Sequence, residues 1–301
     1  MPVRPSLAVP RLSLRPAVPP PRIPSPLQAC VLWLLTMALV FAANLGLTAV
    51  AALVAIGSGL KVERALALLA DPKSSPLVNS APWISISVLV MELTLGLVIW
   101  RFLRRHRVFL HEVSPLRVPS LRDLLGALLC VFGLAPLSGM LAQLVERYLP
   151  RDVNAETIVV ALARGVSGGE LLLVLLATAL LPAVVEELLF RGVLTRAFLG
   201  RSNLLAIFAP SVMFGLFHSE PTQAAGTFVL GVGFGIARLY TDSVITSMVC
   251  HFAYNAYELV DVHTGGQVGD SELHLGRVGL GLLVSAIGFV LMVLVPGESK
   301  S

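Results

Sequence analysis

Charge is what this chain has least of. Of its 301 residues only 13% are Asp, Glu, Lys or Arg, about half the ~25% of a soluble domain. That shortage excludes an ordinary water-soluble fold. Cysteine is scarce too. Cys30, Cys130 and Cys250 lie far apart, inside apolar segments and without CxxC spacing, so no disulfide framework is written in the sequence and the three read as small core hydrophobes. The HExxH spacing of helical zinc peptidases is absent. No internal repeat of useful period appears, which weighs against the duplicated halves common in secondary transporters. The net charge of +4 does not indicate a nucleic-acid partner, because the basic residues gather at the ends of apolar segments, as membrane topology requires.

Apolar sequence is abundant instead. Hydrophobic residues make up 56% and the mean hydropathy is +0.84. The expected fold class is all-α: a polytopic membrane bundle of about eight transmembrane helices. Residues 1–26 hold nine prolines, four arginines and no acid. They read as a disordered Pro/Arg-rich cytoplasmic tail. The bundle is expected over residues 27–296, with a short C-terminal tail at 297–301. Its spans read as 27–56, 82–103, 121–144, 171–199, 203–218, 222–240, 243–262 and 278–295. The first is too long for a cleaved signal peptide. Ser120-Leu-Arg-Asp123 has the form of a capping box, and Ser202 or Asn203 can cap the fifth span. Gly226, Gly231, Gly233 and Gly235 mark the sixth as a packing seam. Arginines in the tail, after the second span and after the fourth, set against acids between the seventh and eighth, place both termini in the cytoplasm.

One stretch organises the rest: Leu181-Pro-Ala-Val-Val-Glu-Glu-Leu-Leu-Phe-Arg-Gly-Val-Leu194. It sets two acids and an arginine inside an apolar run long enough, at ~1.5 Å per residue, to cross a ~30 Å hydrocarbon layer. Charges at such depth cost several kcal/mol even on lenient scales. Glu187 and Arg191 are four apart, on one helical face, and can neutralise each other. Glu186 points ~100° away and is left without that partner. A structural ion pair with a spare acid is the bland reading; chemistry by Glu186 is the sharper one. His218 follows Phe214 by four residues, and His251 and Asn255 share a face of the seventh span. Two histidines, an amide and an unpaired acid on three helices are most economically explained by one shared polar site, since each would otherwise be stranded in lipid. Glu92 in the second span is a further intramembrane acid without a local partner.

Such a set supports hydrolysis. A carboxylate in an apolar pocket becomes basic enough to take a proton from water and return it to a leaving amine. A histidine can hold the same water, and a histidine with an amide can stabilise an oxyanion. Glu186, His218 and His251 also have the composition of a catalytic zinc shell, so the residues leave open a mechanism needing no cofactor and one needing a single zinc ion.

These residues resemble the CAAX-protease and bacteriocin-processing family of intramembrane endopeptidases. Its three motifs stand here in order, as Glu186-Glu187-x-x-x-Arg191, Phe214-x-x-x-His218 and His251-x-x-x-Asn255. The resemblance implies a peptidase core over about 169–262. It implies that Glu186 and His218 activate water, that His251 and Asn255 form the oxyanion site, and that Glu187, Arg191 and Phe214 support them. Metal dependence stays open within the family. The implied partner is a membrane-associated protein or peptide, in a lipid bilayer expected to be a bacterial inner membrane. A proton-coupled transporter using the same acids, and a non-catalytic scaffold or immunity protein, are the competing readings. A cysteine peptidase pairing Cys250 with His251 fails on geometry, because adjacent helical residues diverge by ~100°.

Overall fold

The computed structural model describes residues 23–65, 80–149, 163–164, 166–266 and 275–293. The Pro/Arg-rich tail, apart from its last four residues, lies outside them, as do the C-terminal tail and much of the loop after the first span.

Short polar side chains start the helices where the sequence provides them. α1 (Pro26–Gly57) opens on Ser25, whose hydroxyl accepts from the Gln28 amide while the Gln28 side chain accepts from the Ser25 amide. α2 spans Ala81–His106 and ends on three basic residues, Arg104, Arg105 and His106. A single turn, α3 (Leu110–Val113), precedes α4 (Leu121–Glu146), which Ser120 caps by accepting from the Asp123 amide at 3.1 Å. α5 runs over Gly168–Leu199. α6 (Asn203–Phe217) is capped by Ser202, α7 (Pro221–Thr241) by Glu220, and α8 (Val244–His263) by Ser243. α9 covers Leu275–Val293. No strand occurs among the described residues. The architecture is an all-α polytopic bundle, and each of the eight expected spans is a helix.

Six of these helices are long and apolar enough to cross a membrane: α1, α2, α4, α5, α7 and α9. The other two fall short for different reasons. α6 has 15 residues, ~22 Å at the usual rise. α8 is long enough at 20 residues, but carries His251, Asn255, Glu258, Asp261 and His263.

Glycine sets the spacing between helices. α4 and α9 meet along Gly126 and Gly133 on one side and Gly281 and Gly288 on the other. A Cβ on Gly133 would stand 2.6 Å from the Gly281 carbonyl oxygen, and one on Gly281 2.5 Å from that of Gly133. These are backbone contacts that cannot move aside, which is how small residues bring lipid-embedded helices together. α7 uses its glycines on two faces. Gly226 and Gly233 lie against Ser138, Val131 and Leu134 of α4, while Gly231 and Gly235 lie against Ser211, Phe214 and Ile207 of α6. α2 and α8 pack on α5, and α1 packs on α2. The Trp33 indole of α1 also donates to the Met213 carbonyl of α6 at 3.1 Å. Outer faces remain apolar and exposed, as at Phe41, Leu93 and Leu283, the pattern of helices solvated by lipid.

Candidate active site

α5 is not a uniform α-helix. Two π-helical turns, Leu176–Leu180 and Leu188–Leu194, flank the α-helical Leu181–Glu187. Pro182 has no N–H to continue the α ladder, and the Leu181 amide bonds back five residues to the Leu176 carbonyl. The second wide turn carries Arg191, and the Thr195 hydroxyl closes it by donating to the Phe190 carbonyl at 2.9 Å. Single π turns of this kind recur at functional sites.

Arg191 and Glu187 form the buried hinge of the site. An Arg191 guanidinium N–H donates to Glu187 Oε1 at 2.7 Å with both side chains almost wholly buried. A second guanidinium N–H donates to the Gly231 carbonyl at 2.9 Å. The Phe214 and Phe234 rings lie 4.6 and 5.1 Å from the guanidinium carbon. A desolvated cation over an aromatic face gains about 2 kcal/mol, so the arginine is held from three sides. The same Glu187 oxygen accepts from His251 Nδ1 at 3.1 Å. Phe234 stacks on that imidazole at 4.9 Å, and Phe214 meets it edge-on at 5.6 Å.

This lock does not include Glu186. It is buried, and its Oε2 stands 3.9 Å from His251 Nε2, beyond a direct hydrogen bond. His218 lies on the other side of Phe214, with ring centroids 5.0 Å apart. Its Nδ1 is 3.0 Å from the Phe214 carbonyl. A carbonyl only accepts, so Nδ1 carries the proton and Nε2 keeps its lone pair. Asn255 is half-buried, one turn beyond His251. His251 thus lies against Glu186, Glu187 and Phe214, Arg191 lies against Glu187 and Phe214, His218 borders Phe214, and Asn255 stands one turn past His251.

The metal-binding arrangement is a separate matter. Among the described residues no group of three His, Cys, Asp or Glu side chains is placed to hold an ion.

Residues 168–257 match the Rce1-like family of type II CAAX prenyl endopeptidases. The matched stretch runs from the first residue of α5 into α8 and holds all three motifs, which bears out the resemblance read from them. It covers under a third of the chain. No curated protein and no solved structure matches. The Rce1-like match supports an intramembrane protease of the CAAX type, and hence a hydrolase with a membrane-associated substrate.

Three contributors to this site were not assigned a place in it by sequence. Phe234 looked like any core aromatic. Gly231 read only as a packing residue, whereas its carbonyl also receives Arg191. Arg238, buried on α7, donates from Nε to the Arg191 carbonyl at 3.2 Å and reaches Asp242 at 3.4 Å. An arginine inside an apolar helix carries the same signal of cost as Arg191, and could have been found by it. Glu92 has no local partner in the sequence; the packing of α2 on α5 brings it beside Glu186, 94 positions further along the chain.

Proposed function

We propose that the protein is an endopeptidase that cleaves a membrane-associated protein or peptide with water activated by Glu186 and His218. The observation that carries this reading is the division of labour between the two glutamates. Arg191 and His251 occupy Glu187, and Glu186 is left beside His251 with its carboxyl uncommitted to either.

In this mechanism His218 Nε2 accepts one O–H of a water and Glu186 takes the other proton. The water oxygen bonds to the scissile carbonyl carbon, and the carbonyl π electrons move to its oxygen. Asn255 donates to that oxyanion. His251 can donate from Nε2 only when both its nitrogens carry protons. Glu187 on Nδ1 then serves as the counter-charge, as a buried acid does for an imidazolium in other hydrolases. Collapse of the oxyanion breaks the C–N bond, and Glu186 returns its proton to the leaving amine. No step passes through a metal.

The distribution of charge supports an orientation. The Val244 amide donates to the Pro115 carbonyl at 2.9 Å, and Arg196 Nε to the Glu112 carbonyl at 3.3 Å. These bonds gather the end of α5 and the start of α8 at one end of the bundle, with the loop before α4. Arg104 and Arg105 at the end of α2, Arg117 and Arg122 in and just after that loop, and Arg196 and Arg201 at the end of α5 lie at this end, so we take it as cytoplasmic. With α6 and α8 also carrying the chain from one side to the other, both termini are then cytoplasmic, consistent with a bacterial inner membrane. Measured from that end at 1.5 Å per residue, His251 lies ~11 Å deep, Asn255 ~17 Å, Glu186 ~20 Å and His218 ~22 Å. Much of the site is past the midplane, which suits tails or leaders of exported proteins.

The test is to compare the membrane proteomes of cells carrying wild type and Glu186→Ala. Uncleaved precursors should accumulate in the variant. Identical proteomes at equal protein levels would contradict the proposal.

A further inference from the structure

Glu92 is a buried acid that none of the three motifs contains. It lies on α2, outside the matched stretch. α2 packs on α5 at the site itself: a Cβ on Gly96, one turn past Glu92, would stand 4.0 Å from Val185 Cγ1, and Val185 precedes Glu186. The two carboxyl groups are accordingly neighbours. Glu92 is 1% exposed, and neither of its oxygens has a hydrogen-bond partner of good geometry among the described residues. Leaving a carboxyl stranded in this way costs stability, so its presence calls for a role.

Charge arithmetic suggests which. The groups facing this pair are Glu187 and Arg191 from α5 and His251 from α8, with His218, just past the end of α6, near His251 and Arg191. Three carboxyls therefore meet one arginine, and that arginine is already bonded to Glu187. Two adjacent carboxylates without their own cations cannot both stay charged in an apolar interior; such pairs share a proton.

We propose that Glu92 is a positioning residue for peptide hydrolysis: as a neutral acid it donates a hydrogen bond to one oxygen of Glu186 and leaves the other to take the proton from water. This rests on the peptidase reading above. Glu92 keeps its proton through the cycle. The proton taken from water travels on Glu186 and leaves with the amine, so the pair ends as it began. Glu92 touches neither water nor substrate.

The test uses the full-length protein in lipid, with Glu92→Gln and Glu92→Leu beside wild type. Gln keeps an N–H donor to Glu186 without a charge; Leu removes it. Leu also removes the unpartnered oxygens, so its unfolding temperature should equal or exceed that of wild type. Its kcat should nevertheless fall about 10²-fold with KM unchanged, the loss expected when a reacting group is held in the wrong place. Gln should keep most of the activity. Wild-type rates in Glu92→Leu, or a Gln variant as inactive as Leu, would overturn the proposal. If Leu does not fold, the Gln variant decides against wild type: most of the activity kept supports the proposal, and a fall of about 10²-fold in kcat overturns it. Infrared spectroscopy separates this idea from the function it rests on. A protonated-carboxyl band present in wild type at neutral pH should vanish in Glu92→Gln whether or not any substrate is cut. A band unchanged by the substitution would overturn the acid pair, whereas an intact acid pair in a wild type that cleaves nothing would overturn the peptidase alone.

Discussion

At the scale of single residues, adjacent glutamates meet different neighbours because an α-helix turns ~100° between them. Glu187 faces Arg191 and His251, and its loss leaves a buried guanidinium unpaired. Glu187→Gln should therefore destabilise the folded protein by about 3–5 kcal/mol, read as a lower yield of folded material and a lower melting temperature in detergent. Unchanged stability would contradict the hinge described here. Metal content is a second residue-scale prediction. Because Glu186, His218 and His251 do not converge as a ligand set, purified active protein should hold well under one equivalent of zinc and keep its activity after treatment with a strong chelator. Inactivation restored by zinc would show that the three donors rearrange around an ion. Much of this site was legible in sequence. The cost of charge in an apolar run singled out Glu186, Glu187, Arg191 and Glu92, and i,i+4 spacing paired Glu187 with Arg191. What spacing could not supply was contact between helices. The bond from Glu187 to His251, the Phe234 ring on that histidine and the meeting of Glu92 with Glu186 depend on how α2, α5, α7 and α8 pack.

At the scale of elements, the apolar runs located each helix to within a few residues, since a segment of ~20 apolar residues has few other ways to satisfy its backbone in lipid. They did not reveal which helices fall short of a full crossing. α6 ends early because Ser219-Glu220-Pro221 stops it, and α8 carries its polar residues along the face that builds the site and at its end. The π turns of α5 were equally hidden, although Pro182 marks one of them. The seam between α4 and α9 yields the element-scale prediction. In Gly281→Val the new side chain meets the Gly133 carbonyl oxygen and Pro136, and overpacking of this kind costs about 1–3 kcal/mol. Thermal unfolding in detergent should show that loss. A variant as stable as wild type would mean that α9 does not dock on α4 through these glycines.

At the scale of the whole molecule, the proposed orientation and the proposed activity can each be tested. Orientation is tested with single cysteines at Ser202 and Ser219, in a background lacking Cys30, Cys130 and Cys250, labelled in intact cells with an impermeant thiol reagent. Labelling is expected at Ser219, beside His218, and not at Ser202; the reverse would turn the site toward the cytoplasm. The central claim, that Glu186 drives peptide hydrolysis, is tested most directly in reconstitution. Wild type and Glu186→Gln are placed in liposomes in equal folded amounts, supplied with membrane proteins extracted from cells that carry Glu186→Ala, and new peptide termini are counted by mass spectrometry. Wild type should generate a defined set of new termini, and Glu186→Gln should generate them at least 10²-fold more slowly, the range for removal of a general base. The same termini appearing at wild-type rate with Glu186→Gln would contradict the claim.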